Sequence, residues 1–160
     1  MEPQCKLVDV SPQLLALTQE TLERPQIAVR IRGMFDIVYA WLGASSVRQA
    51  GHNYALYDQC TEWSLRVRVG FPVSGPFADT DSVKCKQFAP GQAAHAVHLG
   101  SYAQLNRTYA ALNAWCATQN LSLTGESWEE YGDWTDDQSK LQTGLFLRIR
   151  EASAHGNMSA

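Results

Sequence analysis

The chain has 160 residues, of which 45% are hydrophobic, 10% aromatic and 18% charged, and its formal net charge is -3. That length suits one domain, or two fused halves with a shared core, and the apolar content excludes a disordered chain. No apolar run approaches the roughly 20 residues that a membrane-spanning helix needs, and the acidic balance argues against nucleic-acid binding, which needs clustered Lys and Arg.

The first residues, Met1-Glu2-Pro3-Gln4-Cys5-Lys6, place an acid and a proline where a secretory signal carries basic residues and then an apolar stretch. We therefore expect a cytoplasmic protein. Two short strands, Cys5 to Val10 and Leu14 to Thr21, follow around the turn signal Ser11-Pro12.

The next segment, Pro25 to Ala44, predicts a helix, because a proline stands in its first turn and apolar residues recur at helical spacing. The β-branched alternation from Ile27 to Arg32 also fits a strand, but the continuing apolar stripe favours the helix. After the break at Gly51, two more strands are predicted, Tyr54 to Tyr57 and Trp63 to Gly70.

The second part of the chain repeats this order after a linker over residues 71–81. Its helix begins at the N-cap residue Ser101. The tail from Glu151 to Ala160 is small and polar, and we expect it to be loose. The predicted elements are the strands Ser82 to Phe88 and Gln92 to Leu99, the helix Ser101 to Thr118, and the strands Trp128 to Asp133 and Thr143 to Arg150.

An internal duplication accounts for this repetition. Six positions of the first half recur 74 positions later with the residue class preserved: Trp41, Gly51, Tyr57, Ile31, Phe35 and Val38 match Trp115, Gly125, Tyr131, Leu105, Tyr109 and Leu112. The predicted fold is α+β, with two strand-strand-helix-strand-strand halves at about 5–70 and 82–150. Its antiparallel sheet carries both helices on one face, and a central cleft lies where the halves meet, a common place for ligand sites.

Two sequence motifs then point to a known family. A strand that turns at Ala89-Pro90-Gly91 leads into His98-Leu99-Gly100-Ser101-Tyr102, which opens a helix, and Trp128-Glu129-Glu130-Tyr131 follows. In order and spacing, residues 5–150 resemble the GyrI-like effector-binding domain, the multidrug-sensing part of MerR-type and AraC/Rob-type transcription regulators, which also occurs alone. The length leaves no room for the DNA-binding module of those regulators, so we expect the stand-alone form.

The resemblance implies a pseudo-two-fold fold with a central pocket for bulky, often cationic, aromatic compounds. The first acid of the W-E-x-Y motif supplies the negative charge of that pocket in the family, and this position is Glu129 here. Strand alternation places Tyr131 on the same face as Glu129. The duplication matches Tyr131 with Tyr57 but Glu129 with Ala55, so only one half supplies an acid.

A carboxylate buried among aromatic rings is costly unless a positive charge pairs with it, and a cationic ligand is such a partner. The alternative is that Glu129 lies on a hydrated strand face beside an arginine, and this would be the more common case without the family resemblance. For Tyr57, Trp63, Tyr102 and Phe146, strand parity leaves open whether each lines the pocket or packs in the core. The predicted ligand-binding residues are Glu129, Tyr131, Tyr57, Trp63, Tyr102 and Phe146.

We expect neither a metal nor another cofactor. The four cysteines form no C-x-x-C pair, and His95 and His98, three apart on a strand, point to opposite faces. The densest group of basic residues is interpreted as the solvent face of two strands rather than a nucleic-acid footprint; it comprises Arg66, Arg68, Arg148 and Arg150.

The leading hypothesis is a small-molecule binding protein for hydrophobic cations, with no nucleic-acid or membrane partner. The second is a hydrolase of reactive cyclopropane-containing compounds, an activity that the resemblance implies for some stand-alone members, with Glu129 and Tyr131 activating water or protonating the opening ring. The third is an inhibitor of a protein partner, like the gyrase-inhibitor members of the family, acting through the acidic loops at 79–81 and 133–137.

Overall fold

The structure is a computed structural model that describes residues 3–58 and 61–151. It contains one eight-stranded antiparallel sheet and two α-helices. None of the helices in these ranges is long and apolar enough to cross a membrane. The strands are β1 (Lys6–Val10), β2 (Gln13–Glu23), β3 (Tyr54–Asp58), β4 (Ser64–Pro72), β5 (Lys84–Phe88), β6 (Gly91–Leu99), β7 (Leu123–Tyr131) and β8 (Gln142–Ile149), and the helices are α1 (Ile27–Gly43) and α2 (Leu105–Thr118).

The two predicted halves are present, and they exchange their first strands. The strand order is β1-β6-β8-β7-β3-β4-β2-β5, so β1 pairs with β6 of the second half and β5 pairs with β2 of the first. The halves meet where β3 pairs with β7, and there Ala55 lies directly opposite Glu129, its counterpart in the duplication. The pseudo-two-fold axis therefore passes beside Glu129, an acid without an acidic counterpart in the other half.

Both helices pack on the same face of the sheet, as predicted. Helix α1 lies against β2 and β4, and α2 lies against β6. The segment from Ile27 to Arg32 is helical, because its apolar side chains join a stripe that reaches Met34 and Val38 in the core. Each helix is preceded by a 3₁₀ turn; the one at Tyr102–Gln104 is capped by Ser101, whose Oγ accepts from the Ala103 N–H.

The opposite face carries a second apolar core without helices. Phe88 lies on the edge strand β5, yet its ring centroid is 4.8 Å from that of Trp128 on the central strand β7. Val8 and Val10 of β1, at the other edge, pack against the same cluster. The sheet therefore curls until its two edges approach its centre.

The arginines of this face are not the solvent-exposed row that the sequence suggested. Arg68 and Arg148 both contact Glu126, and Arg66 pairs with Asp58. Burial under the curled sheet makes a paired arrangement necessary, since an unpaired buried charge is costly. Arg150, beyond the end of β8, stays exposed.

The remaining sequence-based expectations concern two tryptophans, one cysteine and the C-terminal tail. Trp41 and Trp115 pack in the cores under their helices, as expected for helix-stripe residues. Cys60 and the predicted loose tail from residue 152 onward lie outside the described residues.

Candidate functional site

The candidate site lies at the centre of the sheet, on the face that carries the helices. Because α1 packs on β2 and β4 while α2 packs on β6, the central strands β3 and β7 form a floor between the two helices. Alternation along β7 directs Glu129 and Tyr131 onto this face, and Tyr57 of β3 joins them. This is the junction where the sequence predicted a cleft.

Glu129 is the chemical centre of the site. It is only 6% exposed, and its carboxylate accepts hydrogen bonds from two phenols. The Tyr131 hydroxyl donates to Oε1 at 2.5 Å, and the Tyr109 hydroxyl of α2 donates to Oε2 at 2.7 Å. No lysine or arginine of the described residues pairs with it, and the hydrogen bonds it accepts come from neutral phenols.

Burial raises the pKa of Glu129 above its ordinary value, because the charged form loses water. The phenols of Tyr131, Tyr109 and Tyr57 act in the opposite direction, since each favours the carboxylate, and the nearby His98 adds a smaller effect of the same sign. The carboxylate in turn helps burial to raise the pKa of all three tyrosines. The phenols therefore remain protonated donors at any physiological pH.

Two further rings pack against Tyr131 at this floor. The ring of Tyr102, in the 3₁₀ turn before α2, meets Tyr131 edge-on at 5.7 Å between centroids. The ring of Phe35, from α1, meets Tyr131 edge-on at 6.2 Å. Glu129 also helps burial to raise the pKa of Tyr102, which is 39% exposed and stands at the margin between site and solvent.

The helix α2 is fixed to the sheet beside this site by His98. Its Nε2 lies 2.8 Å from the Ser101 carbonyl oxygen, which can only accept, so this nitrogen carries a proton. Its Nδ1 lies 2.7 Å from the Thr108 hydroxyl. His98 thus ties the end of β6 to both the cap and the first turns of α2, and with them it positions Tyr102 and Tyr109.

Four of the six predicted site residues come together, and two lie elsewhere. Glu129, Tyr131, Tyr57 and Tyr102 meet between the helices, whereas Phe146 lies on the opposite face, where its ring stacks on Trp128. Its register explains this, because it pairs with Trp128, the neighbour of Glu129 on β7. Trp63 precedes β4 and is 73% exposed, away from Glu129 and the tyrosines around it.

Sequence reasoning missed two residues of the site, Tyr109 and Phe35. Both lie on the apolar stripes of the helices, where an aromatic residue usually indicates core packing. The duplication held a usable signal, because Phe35 and Tyr109 match each other at the 74-residue offset.

The histidines lie as predicted, on opposite faces of β6: His98 packs beneath α2, and His95 stacks on Phe146 of the other face. Within residues 3–58 and 61–151, no three His, Cys, Asp or Glu side chains are close enough to hold a metal ion.

Comparisons with known proteins identify the fold. No family model matches the sequence, and no curated protein matches it either. Among solved structures, the chain is similar to the C-terminal domain of EcmrR, with a TM-score of 0.84 and 16% identity over 95% of this chain and 100% of that one. In the EcmrR–DNA complex, the match covers 94% of this chain but only 58% of EcmrR, with a TM-score of 0.82 and 16% identity.

Two other solved proteins share the fold. SAV2435 bound to tetraphenylphosphonium matches with a TM-score of 0.68 and 14% identity, over 98% of this chain and 99% of that one. A hydrolase from Listeria innocua matches with a TM-score of 0.61 and 13% identity, over 93% of each chain. The chain therefore has the fold of a GyrI-like effector-binding domain, and the resemblance inferred from its motifs is confirmed at the level of the fold.

Proposed function

We propose that this protein binds hydrophobic, aromatic cations between its two helices, with Glu129 as the countercharge. The observation that carries the proposal is the state of that carboxylate, which is buried among phenol rings without a basic side chain to pair with it. A cation restores the lost electrostatic stabilisation, and the surrounding ring faces add cation–π attraction of about 0.5–2 kcal/mol each.

The structural neighbours support this assignment at the level of small-molecule binding. SAV2435 was solved with tetraphenylphosphonium, a bulky aromatic cation, and EcmrR carries the same fold in a DNA-bound regulator. At 14–16% identity these likenesses concern the fold. The preference of this chain for cations is argued from Glu129 and its phenols.

Calorimetric titration with tetraphenylphosphonium and with neutral triphenylphosphine oxide tests the proposal. We expect Glu129→Gln to weaken binding of the cation by at least about tenfold, because a desolvated charged contact is worth more than 1.4 kcal/mol. Binding of the neutral compound should change little. The matched control is Glu130→Gln, the same substitution one residue further along β7 and on the opposite face. Equal losses for the cation and the neutral compound would refute the role of Glu129.

A hydrolase is the second candidate, and one observation favours it. The raised pKa of Glu129 makes it a better proton donor at neutral pH than an exposed glutamate, with the Tyr131 hydroxyl in direct contact with it. The Listeria innocua neighbour is described as a hydrolase. Hydrolysis of an electrophilic cyclopropane compound by the wild type, abolished by Glu129→Gln, would show that the protein is a hydrolase. Binding of the compound without turnover would contradict this and agree with a binding protein.

Two finer proposals concern the cellular setting. We place the protein in the cytoplasm, which fractionation of cells that express it would test. The acidic loops at 79–81 and 133–137 are the candidate surface for a protein partner. In the structure Asp79 accepts from the Cys85 N–H and Asp133 pairs with His52, so part of this charge is used within the fold.

A further inference from the structure

A second recess lies on the face of the sheet opposite the helices. It has a volume of about 270 Å³ and opens to solvent, and its lining includes side chains from β6, β7 and β8. The residues that matter for its chemistry are His95, Glu130, Gly144 and Phe146. Glu130 is the second acid of the Trp128-Glu129-Glu130-Tyr131 segment, and strand alternation directs it away from Glu129.

Stacked rings form one side of this recess. The Phe146 ring lies between two others, with its centroid 5.2 Å from that of Trp128 at an interplanar angle of 7° and 4.2 Å from that of His95 at 17°. Trp128 is buried, whereas His95 and Phe146 at the recess are only half-buried. The stack therefore ends at His95, whose neighbour on the edge strand β1 is Lys6, and it turns ring edges toward Gly144 and the recess.

The absence of a side chain at Gly144 keeps the recess open. Gly144 pairs with both Glu130 and Val97, so it lies between the acid and the β6 side chains on this face. A Cβ atom there would lie 3.1 Å from Cε1 of Phe146 and 3.4 Å from Cε1 of His95. Glu130 and the exposed edge of the ring stack consequently face each other across an open floor.

The polar groups of the recess include two acceptors. The carboxylate of Glu130 has no hydrogen-bond or ion-pair partner in the part of the chain that the structure describes. His95 Nδ1 lies 3.0 Å from the Leu145 carbonyl oxygen, so it carries the proton, and Nε2 of the neutral ring is left with a lone pair. Burial lowers the pKa of His95, which keeps the ring neutral at pH 7.

We propose that this recess is a second binding site, specific for a planar cation with N–H donors, such as an amidinium, a guanidinium or an aminopyridinium group. The cation lies at the ring edges of His95 and Phe146 and donates hydrogen bonds to Glu130 and to Nε2 of His95. Glu130 points to the face of the sheet opposite Glu129, and Tyr131, which donates to Glu129, also borders the recess. The proposal does not depend on the function proposed for the Glu129 site.

Titration of the full chain with benzamidinium, followed by two-dimensional NMR of the backbone amides, tests the site. We expect saturable shifts at Val97, Glu130 and Gly144. Glu130→Gln should weaken binding by about fivefold, the effect of one partly screened charged contact. His95→Phe keeps an aromatic ring but removes the acceptor, and it should weaken binding by about threefold.

The controls distinguish this recess from the Glu129 site between the helices. The exposed Glu62→Gln variant should bind benzamidinium as the wild type does. Benzyltrimethylammonium, which keeps the ring and charge but has no N–H group, should bind at least about fivefold more weakly. Shifts confined to amides around Tyr57 and Tyr109, unchanged binding by a folded Glu130→Gln variant, or equal affinity for the two probes would each overturn the proposal.

Discussion

Glu129 combines two opposing electrostatic effects in one side chain. Loss of water destabilises its charged form, while the phenols that surround it solvate that form only partly, because a neutral donor compensates a charge less than a basic group does. The raised pKa is the balance of these effects. In the ligand-free protein, the ionised carboxylate therefore lowers the free energy of unfolding. A bound cation raises it again.

Replacement of Glu129 by glutamine should accordingly stabilise the ligand-free protein at neutral pH, by on the order of 1 kcal/mol. The folded-state pKa is raised above the unfolded value, so the wild type keeps its full stability below the unfolded pKa and loses it as the pH rises through the folded pKa. Urea unfolding from pH 4 to pH 8 measures this. The free energy of unfolding of Glu129→Gln relative to the wild type should increase as the pH rises, and parallel curves for the two proteins would contradict the prediction.

The residues of β3 and β7 at the floor of the site could be predicted from the sequence, whereas the face of β8 that each side chain occupies could not. Strand alternation and the 74-residue repeat together place Glu129, Tyr131 and Tyr57 on one face. The same alternation cannot say which face of the neighbouring strand β8 is involved, because that depends on its register with β7. Phe146 was therefore expected in the pocket, and its pairing with Trp128 places it on the other face.

Among the strands, β2 and β4 approach each other so closely that only glycine fits at Gly70. A Cβ built there would lie 1.7 Å from the Ala16 carbonyl oxygen and 2.8 Å from the Ala16 carbonyl carbon. Both contacts are with backbone atoms, which cannot turn aside as a flexible side chain can. The close approach allows the flanking core residues, Ala16 and Val69, to be fully buried.

Gly70→Ala should therefore destabilise the fold by more than about 3 kcal/mol, because the strands must separate to admit one methyl group. Gly75→Ala is the matched control, since a Cβ at that position meets nothing within 4 Å, and its effect should stay within about 0.5 kcal/mol. Chemical denaturation of both variants gives the two free energies of unfolding. Similar values for the two variants would show that the strands adapt more readily than the backbone contact implies.

The helices and seven of the eight strands were predictable from the sequence to within a few residues, and the start of β7 was not. Helical periodicity is a local signal, and it persists through the β-branched segment from Ile27 to Arg32. Strand β7 instead begins at Leu123, five residues before the predicted start, with an irregular register between Leu123 and Ser127. Such an irregularity depends on the partner strand β8, so the sequence of β7 alone does not reveal it.

At the scale of the whole molecule, the duplicated halves are interlocked rather than placed side by side. The sequence predicted β1 and β2 around the Ser11-Pro12 turn, yet β1 pairs with β6 and β2 with β4 and β5. Turn residues mark where the chain changes direction, but the pairing partner is chosen by contacts far away in the sequence. The core on the helix-free face consequently draws on both halves, with Leu15 and Leu56 from one and Phe88 and Trp128 from the other.

This exchange predicts that neither half folds alone. A fragment of residues 1–78 leaves β1 without β6 and β2 without β5, and a fragment of residues 79–160 has the converse losses, so each should lack a cooperative unfolding transition. Mixed in equal amounts they should form a folded complex, detected by circular dichroism and size exclusion, with a stability that increases with concentration. Full-length protein cut after folding at a protease site inserted behind Ala78 serves as the control, because it contains the same break. A folded monomer of either fragment would mean that the exchanged strands are not needed to complete the sheet of each half.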